Sequence, residues 1–66
     1  MQLLVNGKPS ELPTGLTARQ LVEHLDLGGK RIALEVNGEI VPRSAYAQRR
    51  LQEGDKIEIV HAIGGG

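Results

Sequence analysis

Leu16-Thr17-Ala18-Arg19-Gln20-Leu21-Val22-Glu23-His24-Leu25-Asp26-Leu27-Gly28-Gly29 is the stretch on which the fold turns. Thr17 followed by Gln20 matches a capping box, in which each side chain satisfies a backbone donor of the other's residue. Leu16 before the cap and Leu21 at the fourth helical position match a hydrophobic staple. Ala18, Leu21, Val22 and Leu25 follow the i, i+3, i+4, i+7 spacing of one buried helix face. Gly28-Gly29 offers the left-handed residue that ends a helix, and Leu27 before it folds back onto the core. A single helix with one apolar face needs a sheet to cover it.

The flanking segments supply that sheet. Leu3-Leu4-Val5, Asn6-Gly7, and Lys8 through Leu12 read as a hairpin. Asn-Gly supplies the positive φ angles of a type I′ turn, whose twist matches paired strands. Pro9 belongs on an edge strand because it has no N–H for a ladder, and Pro13 and Gly15 break the strand. Ile32, Leu34 and Val36 alternate with Ala33 and Glu35, the pattern of a half-buried strand. Asn37-Gly38 repeats the hairpin signal, Glu39-Ile40-Val41 returns, and Pro42 stops it. Ser44 is placed to cap a helical turn reaching about Arg49. After a Gly54-Asp55 turn, Ile57, Ile59 and Ile63 alternate with Glu58, Val60 and Ala62 in a last strand. The order is hairpin, helix, hairpin, short turn, strand. Packing the helix across one mixed sheet of four to five strands buries both apolar faces in two layers. The first and last strands then lie side by side in the middle and run parallel. This is an α+β chain with the β-grasp, or ubiquitin-like, arrangement: one domain over residues 1–63, followed by a flexible glycine tail, 64–66.

Composition narrows the function. Sixty-six residues make one small domain with no room for a deep substrate cleft. Eight basic residues balance eight acidic ones, so the positive field needed for nucleic-acid or anionic-membrane binding is missing. One Tyr is the only aromatic, too little for a base-stacking surface. There is no cysteine, hence no disulfide framework, and a reducing cytoplasm is the expected home. His24 and His61 lack partners at metal-ligand spacing, and Ser10 and Ser44 lack a nucleophile-elbow context. Arg49-Arg50 reads as a solvated basic pair. No cofactor or metal site, and no catalytic residue, is expected on this chain.

The sequence closes on Gly64-Gly65-Gly66. Three residues without side chains make a bare backbone able to enter a narrow channel, with an ionised carboxylate at Gly66. A carboxylate is a poor electrophile. Joined to AMP it becomes an acyl-adenylate open to sulfur or nitrogen nucleophiles, provided water is excluded. Without a cysteine, the terminus is the place on this chain where sulfur could be carried. A frayed, inert end is the plainer alternative.

Glu35-Val36-Asn37-Gly38-Glu39-Ile40-Val41-Pro42-Arg43-Ser44, then Gly54-Asp55-Lys56-Ile57-Glu58-Ile59-Val60 and a Gly-Gly end, resembles the sulfur carrier proteins of thiamine biosynthesis. The likeness covers essentially the whole chain. Tyr46 departs from it, where the family favours Trp. The resemblance implies that an E1-like adenylating enzyme using ATP and magnesium activates Gly66, with Gly64 and Gly65 sharing its channel. It further implies that a cysteine desulfurase supplies persulfide sulfur, and that thiazole synthase takes the sulfur from the resulting thiocarboxylate. The chain itself would be a cosubstrate, monomeric when free. Carriers of the same fold serving molybdopterin, tungsten-cofactor or tRNA thiolation pathways remain open, as do a lysine-attached modifier and a β-grasp binding module with an inert tail.

Alternation also points to a docking surface. With Ile57 and Ile59 facing the helix, Val60 and Ala62 face outward. Leu4, opposing Leu3 and Val5 on the first strand, joins them in an expected apolar patch leading toward the tail. Residues beyond Ile63 have no side chain whose burial would offset their ordering entropy. Backbone order parameters beyond Ile63 are expected below about 0.6 in the free protein, against about 0.85 in the strands. Nuclear spin relaxation measures both.

Overall fold

Two Asn-Gly turns set the two hairpins. The computed structural model describes residues 1–61 of the chain. Strands β1 (Gln2–Val5) and β2 (Lys8–Glu11) meet across Asn6 and Gly7, at φ 51° and 80°. Strands β3 (Ile32–Val36) and β4 (Glu39–Val41) meet across Asn37 and Gly38, at φ 53° and 85°. Both turns hold the positive φ pair that a type I′ turn requires. The last strand, β5 (Lys56–His61), lies between the hairpins, giving the sheet order β2-β1-β5-β3-β4. It runs parallel to β1 and antiparallel to β3. Pro9 sits on the edge strand β2, opposite Leu4. The sheet has five strands and the mixed, first-beside-last topology that the element order implies. Ala62, Ile63 and the glycine tail, and with them the expected boundary at residue 63, lie outside the described residues.

Helix α1 (Ala18–His24) has the capping box in full: the Gln20 backbone N–H donates to Thr17 Oγ1 and the Gln20 side chain accepts from the Thr17 N–H. The other first-turn donors are also used. Ala18 N donates to the Arg49 carbonyl at 2.8 Å and Arg19 N to the Tyr46 carbonyl at 3.1 Å, and the regular helical bonding begins with Leu21 N on the Thr17 carbonyl at 2.9 Å. The usual four orphan N–H groups of a helix start thus all have protein partners. The segment after β4 is a short 3₁₀ turn, Arg43–Ala45, whose cap position is Pro42 with no side-chain bond. Ser44 therefore lies inside the turn and caps nothing. The segment's carbonyls serve the helix instead.

The helix ends earlier than Gly28-Gly29 suggests. Leu25 is the C-cap and Asp26, at φ 61°, is the left-handed residue. Asp26 N donates to the Glu23 carbonyl at 3.0 Å and Leu27 N to the Val22 carbonyl at 2.8 Å. These are the paired bonds of a Schellman motif, with Leu27 packed back on the core as its hydrophobic contact. The core is one layer: Leu3, Leu34, Val36, Ile57 and Ile59 from the sheet, Ala18, Leu21 and Val22 from the helix, and Leu12, Val41, Tyr46 and Leu51 around the rim.

Asp26 is an exposed, β-carbon-bearing acid at a position that favours glycine and at the negative end of the helix dipole. Asp26→Gly is expected to stabilise the protein by about 0.5–1 kcal/mol, the relieved backbone strain being partly offset by a more flexible unfolded chain. Urea unfolding measures the change.

Candidate functional site

The helix covers one face of the sheet. The other face is open, and β5 runs through its middle toward residues 62–66. Register fixes what lies there. Val60 is 57% exposed and stands directly opposite Ala33. One step back along the strands, Glu58 faces Glu35, and Glu35 in turn faces Ile40, which is 72% exposed. Val60, Ala33 and Ile40 thus form an apolar surface around two opposed carboxylates. Like charges directly across a strand pair are unfavourable, and a cationic group laid over them would relieve the repulsion.

Leu4 is not part of this cluster. It is half-buried, pairs with Lys56 and Pro9, and lines a shallow groove with Gly7, Lys56 and Glu58. Val60 lies four residue steps along β5 from Lys56, roughly 13 Å at strand spacing. Glu58 lies between them on the same face. The expected trio of Leu4, Val60 and Ala62 is therefore divided: Leu4 is set apart from Val60, and Ala62 lies outside the described residues with Gly64, Gly65 and Gly66. Ala33 belongs beside Val60 in its place, with Ile40 farther across the face, beyond Glu35. The sequence carried the signal for Ile40, since a two-residue turn centred on Asn37-Gly38 forces residue 40 opposite residue 35.

The helix side holds a second concavity, lined by Arg19, Leu27, Gly28, Arg43, Ser44 and Tyr46 among others. Its cations are engaged: Arg19 pairs with Glu23 at 3.3 Å and Arg43 donates to the Lys30 carbonyl at 2.9 Å. His24 is exposed at the end of α1, and His61 is exposed at the end of β5, opposite Ile32. Among the described residues, no group of three or more His, Cys, Asp or Glu side chains is arranged to hold a metal ion. Among the same residues, no helix is long and apolar enough to cross a membrane.

The described residues give a central strand with an exposed face beside its end, and in the sequence a glycine segment follows. Comparison with known proteins agrees from end to end. Residues 3–66 match the family model described as the ThiS family. The chain belongs to that family. It is 39% identical to the sulfur carrier protein ThiS of Escherichia coli (strain K12), with 100% of both chains covered. The crystal structure of the thiamine biosynthesis protein (ThiS) from Geobacter metallireducens superimposes with a TM-score of 0.87, at 33% identity, covering 100% of each chain. The chain is also 42% identical to a thiazole synthase of Paramagnetospirillum magneticum, aligning over 100% of its own length and 20% of that protein's. The chain thus spans 20% of the length of the thiazole synthases it matches. Membership of the family agrees with the β-grasp fold and gives the tail its context.

Val60→Glu is expected to leave the melting temperature nearly unchanged, because the side chain faces water, and to weaken capture of a protein docked on this face by replacing an apolar contact with a carboxylate that must be desolvated. Leu4→Glu, in the separate groove, is expected to change that affinity far less. Titration calorimetry beside a melting curve for each variant reads both.

Proposed function

We propose that this chain is a protein sulfur carrier for the thiazole ring of thiamine, a cosubstrate of partner enzymes acting in the cytoplasm. The observation that carries the reading is the end-to-end match to a sulfur carrier protein at 39% identity, with 100% of both chains covered. The matching segment within thiazole synthases supports thiazole synthase as the consumer of the sulfur.

The chemistry needs little from the folded body. The Gly66 carboxylate attacks the α-phosphorus of magnesium-bound ATP on an E1-like enzyme and displaces pyrophosphate, giving an acyl-adenylate. Sulfur delivered as a persulfide from a cysteine desulfurase displaces AMP. Cleavage of the S–S bond by a thiol then leaves the terminal thiocarboxylate, which thiazole synthase consumes. Activation requires the carboxylate in line with the α-phosphate and shielded from water. Gly64 and Gly65 allow a channel shaped to bare backbone, and the face around Val60, Ala33 and Ile40 docks the enzyme that owns that channel. The reading requires a free carboxylate on Gly66.

Intact mass after incubation with MgATP, an adenylating enzyme of this pathway and a persulfide source tests the reading. A shift equal to one oxygen replaced by one sulfur is expected, and an unchanged mass overturns it. Gly66→Val, or one residue added after Gly66, is expected to abolish ATP–pyrophosphate exchange and leave thermal unfolding nearly unchanged. The added residue moves the carboxylate by about 3.8 Å, where misplacement by about 1 Å can cost roughly a hundredfold in rate. Exchange at the parent rate by the extended protein, without trimming, would refute a terminal-carboxylate mechanism.

A further inference from the structure

Asn6 does more than turn the first hairpin. The parallel ladder between β1 and β5 runs through Leu4 N to the Asp55 carbonyl at 3.0 Å and Asn6 N to the Ile57 carbonyl at 2.8 Å. There the backbone of β1 turns away into Gly7. The Asn6 side chain does not turn away. Its Oδ1 accepts from Ile59 N at 2.7 Å and its Nδ2 donates to the Ile59 carbonyl at 3.3 Å. A carboxamide has the same acceptor and donor as a peptide group. It therefore supplies the ladder step that β1 has no further strand to make. A type I′ turn by itself asks only for tolerance of positive φ, which Gly and Asp also provide. Only Asn adds both a donor and an acceptor at this reach.

The clamped residue sits at a junction in β5. Ile59 is buried on the core face, and Val60, the next residue, is the exposed centre of the outer surface. Residues 62–66 follow β5 in sequence. On the β3 side, β5 stays registered as far as Ile32 opposite His61. On the β1 side, Asn6 is what holds it at Ile59. The geometry points to Asn6 as a positioning residue for the reaction proposed above, an inference that rests on that reading. Its amide fixes the end of β5, and so fixes together the docking residue Val60 and the point from which the glycine segment departs.

The second hairpin supplies a control. Asn37 makes the equivalent side-chain clamp at the opposite end of β5: Lys56 N donates to Asn37 Oδ1 at 2.9 Å, and Asn37 Nδ2 donates to Asp55 Oδ1 at 2.9 Å. Both asparagines sit in the same turn type and both hold β5, but only Asn6 holds the end near Val60.

Asn6→Gly and Asn37→Gly keep their turns and remove one clamp each. Amide hydrogen exchange at Ile59 is expected to accelerate by about tenfold in Asn6→Gly, the loss of roughly one net hydrogen bond, and to stay at the parent rate in Asn37→Gly. ATP–pyrophosphate exchange with an adenylating enzyme of this pathway, at saturating carrier, is expected to lose roughly tenfold in kcat in Asn6→Gly while Asn37→Gly keeps the parent's turnover. A merely structural role would not move kcat at saturation, because both variants remain folded. Asn6→Asp keeps the turn and the acceptor but sets a carboxylate oxygen against the Ile59 carbonyl, so it is expected to behave like the glycine variant. Unchanged kcat in Asn6→Gly, or equal loss in Asn37→Gly, overturns the inference. A parent protein that shows no exchange at all overturns the proposed function, and this inference with it. An active parent with an equally active Asn6→Gly overturns the inference alone.

Discussion

The structure depends on one non-local pairing, the insertion of the last strand between the first and the third. β1 and β5 share only two registered pairs, Leu4 with Lys56 and Val5 with Ile57. Forming them closes a loop of nearly the whole chain, and no turn brings the two strands together. The driving force lies on the core face. Ile57 and Ile59 reach the underside of α1, where Leu21 is fully buried. Without β5 the two hairpins would each present an unpaired edge and a half-covered apolar face. With it, the small core closes on both sides. The Asn6 amide then extends this minimal ladder by one step, and the Asn37 amide holds the start of β5 on its β3 side.

The helix is the complement of that pairing. At seven residues it is too short to persist alone, since isolated helices below about 12–15 residues are marginal in water. Its stability comes from burial of Ala18, Leu21 and Val22 and from the carbonyls that the Tyr46–Arg49 segment lends to its first turn. Every described element thus works on one side of the sheet. That division leaves the opposite side free of structural duty, and an outward position such as Val60 can be spent on recognition at little cost to the fold.

Much of this was legible in the residues. The capping box, both type I′ turns, Pro9 on an edge and the alternation of Ile32, Leu34 and Val36 rest on local chemistry, which a sequence displays directly. The end of α1 was not. Two adjacent glycines compete for the left-handed position, but Asp26 takes it because that choice brings Leu27 back over Val22, a matter of packing. Ser44 looked like a cap, yet Pro42 already fixes the entry of the 3₁₀ turn and the helix recruits the segment's carbonyls. The outer face was half legible. Alternation put Val60 outward, and the turn at Asn37-Gly38 implied Ile40 beside Glu35. The separation of Leu4 from Val60 was hidden, since it arises from the parallel register of strands that no turn connects. The asparagine clamps were hidden as well: a side chain's partner 53 residues away for Asn6, or 19 for Asn37, leaves no local signature.

Because the ribosome delivers the chain from its N-terminus, the strand that completes the sheet emerges after every other described element of the domain. Until then neither hairpin has its neighbour, and the core has no floor. The same arrangement governs damage. A protease that nicks an edge strand can leave a serviceable remnant, but a nick inside β5 removes the middle of the sheet. Such a molecule loses the floor of its core and the exposed surface around Val60 at once.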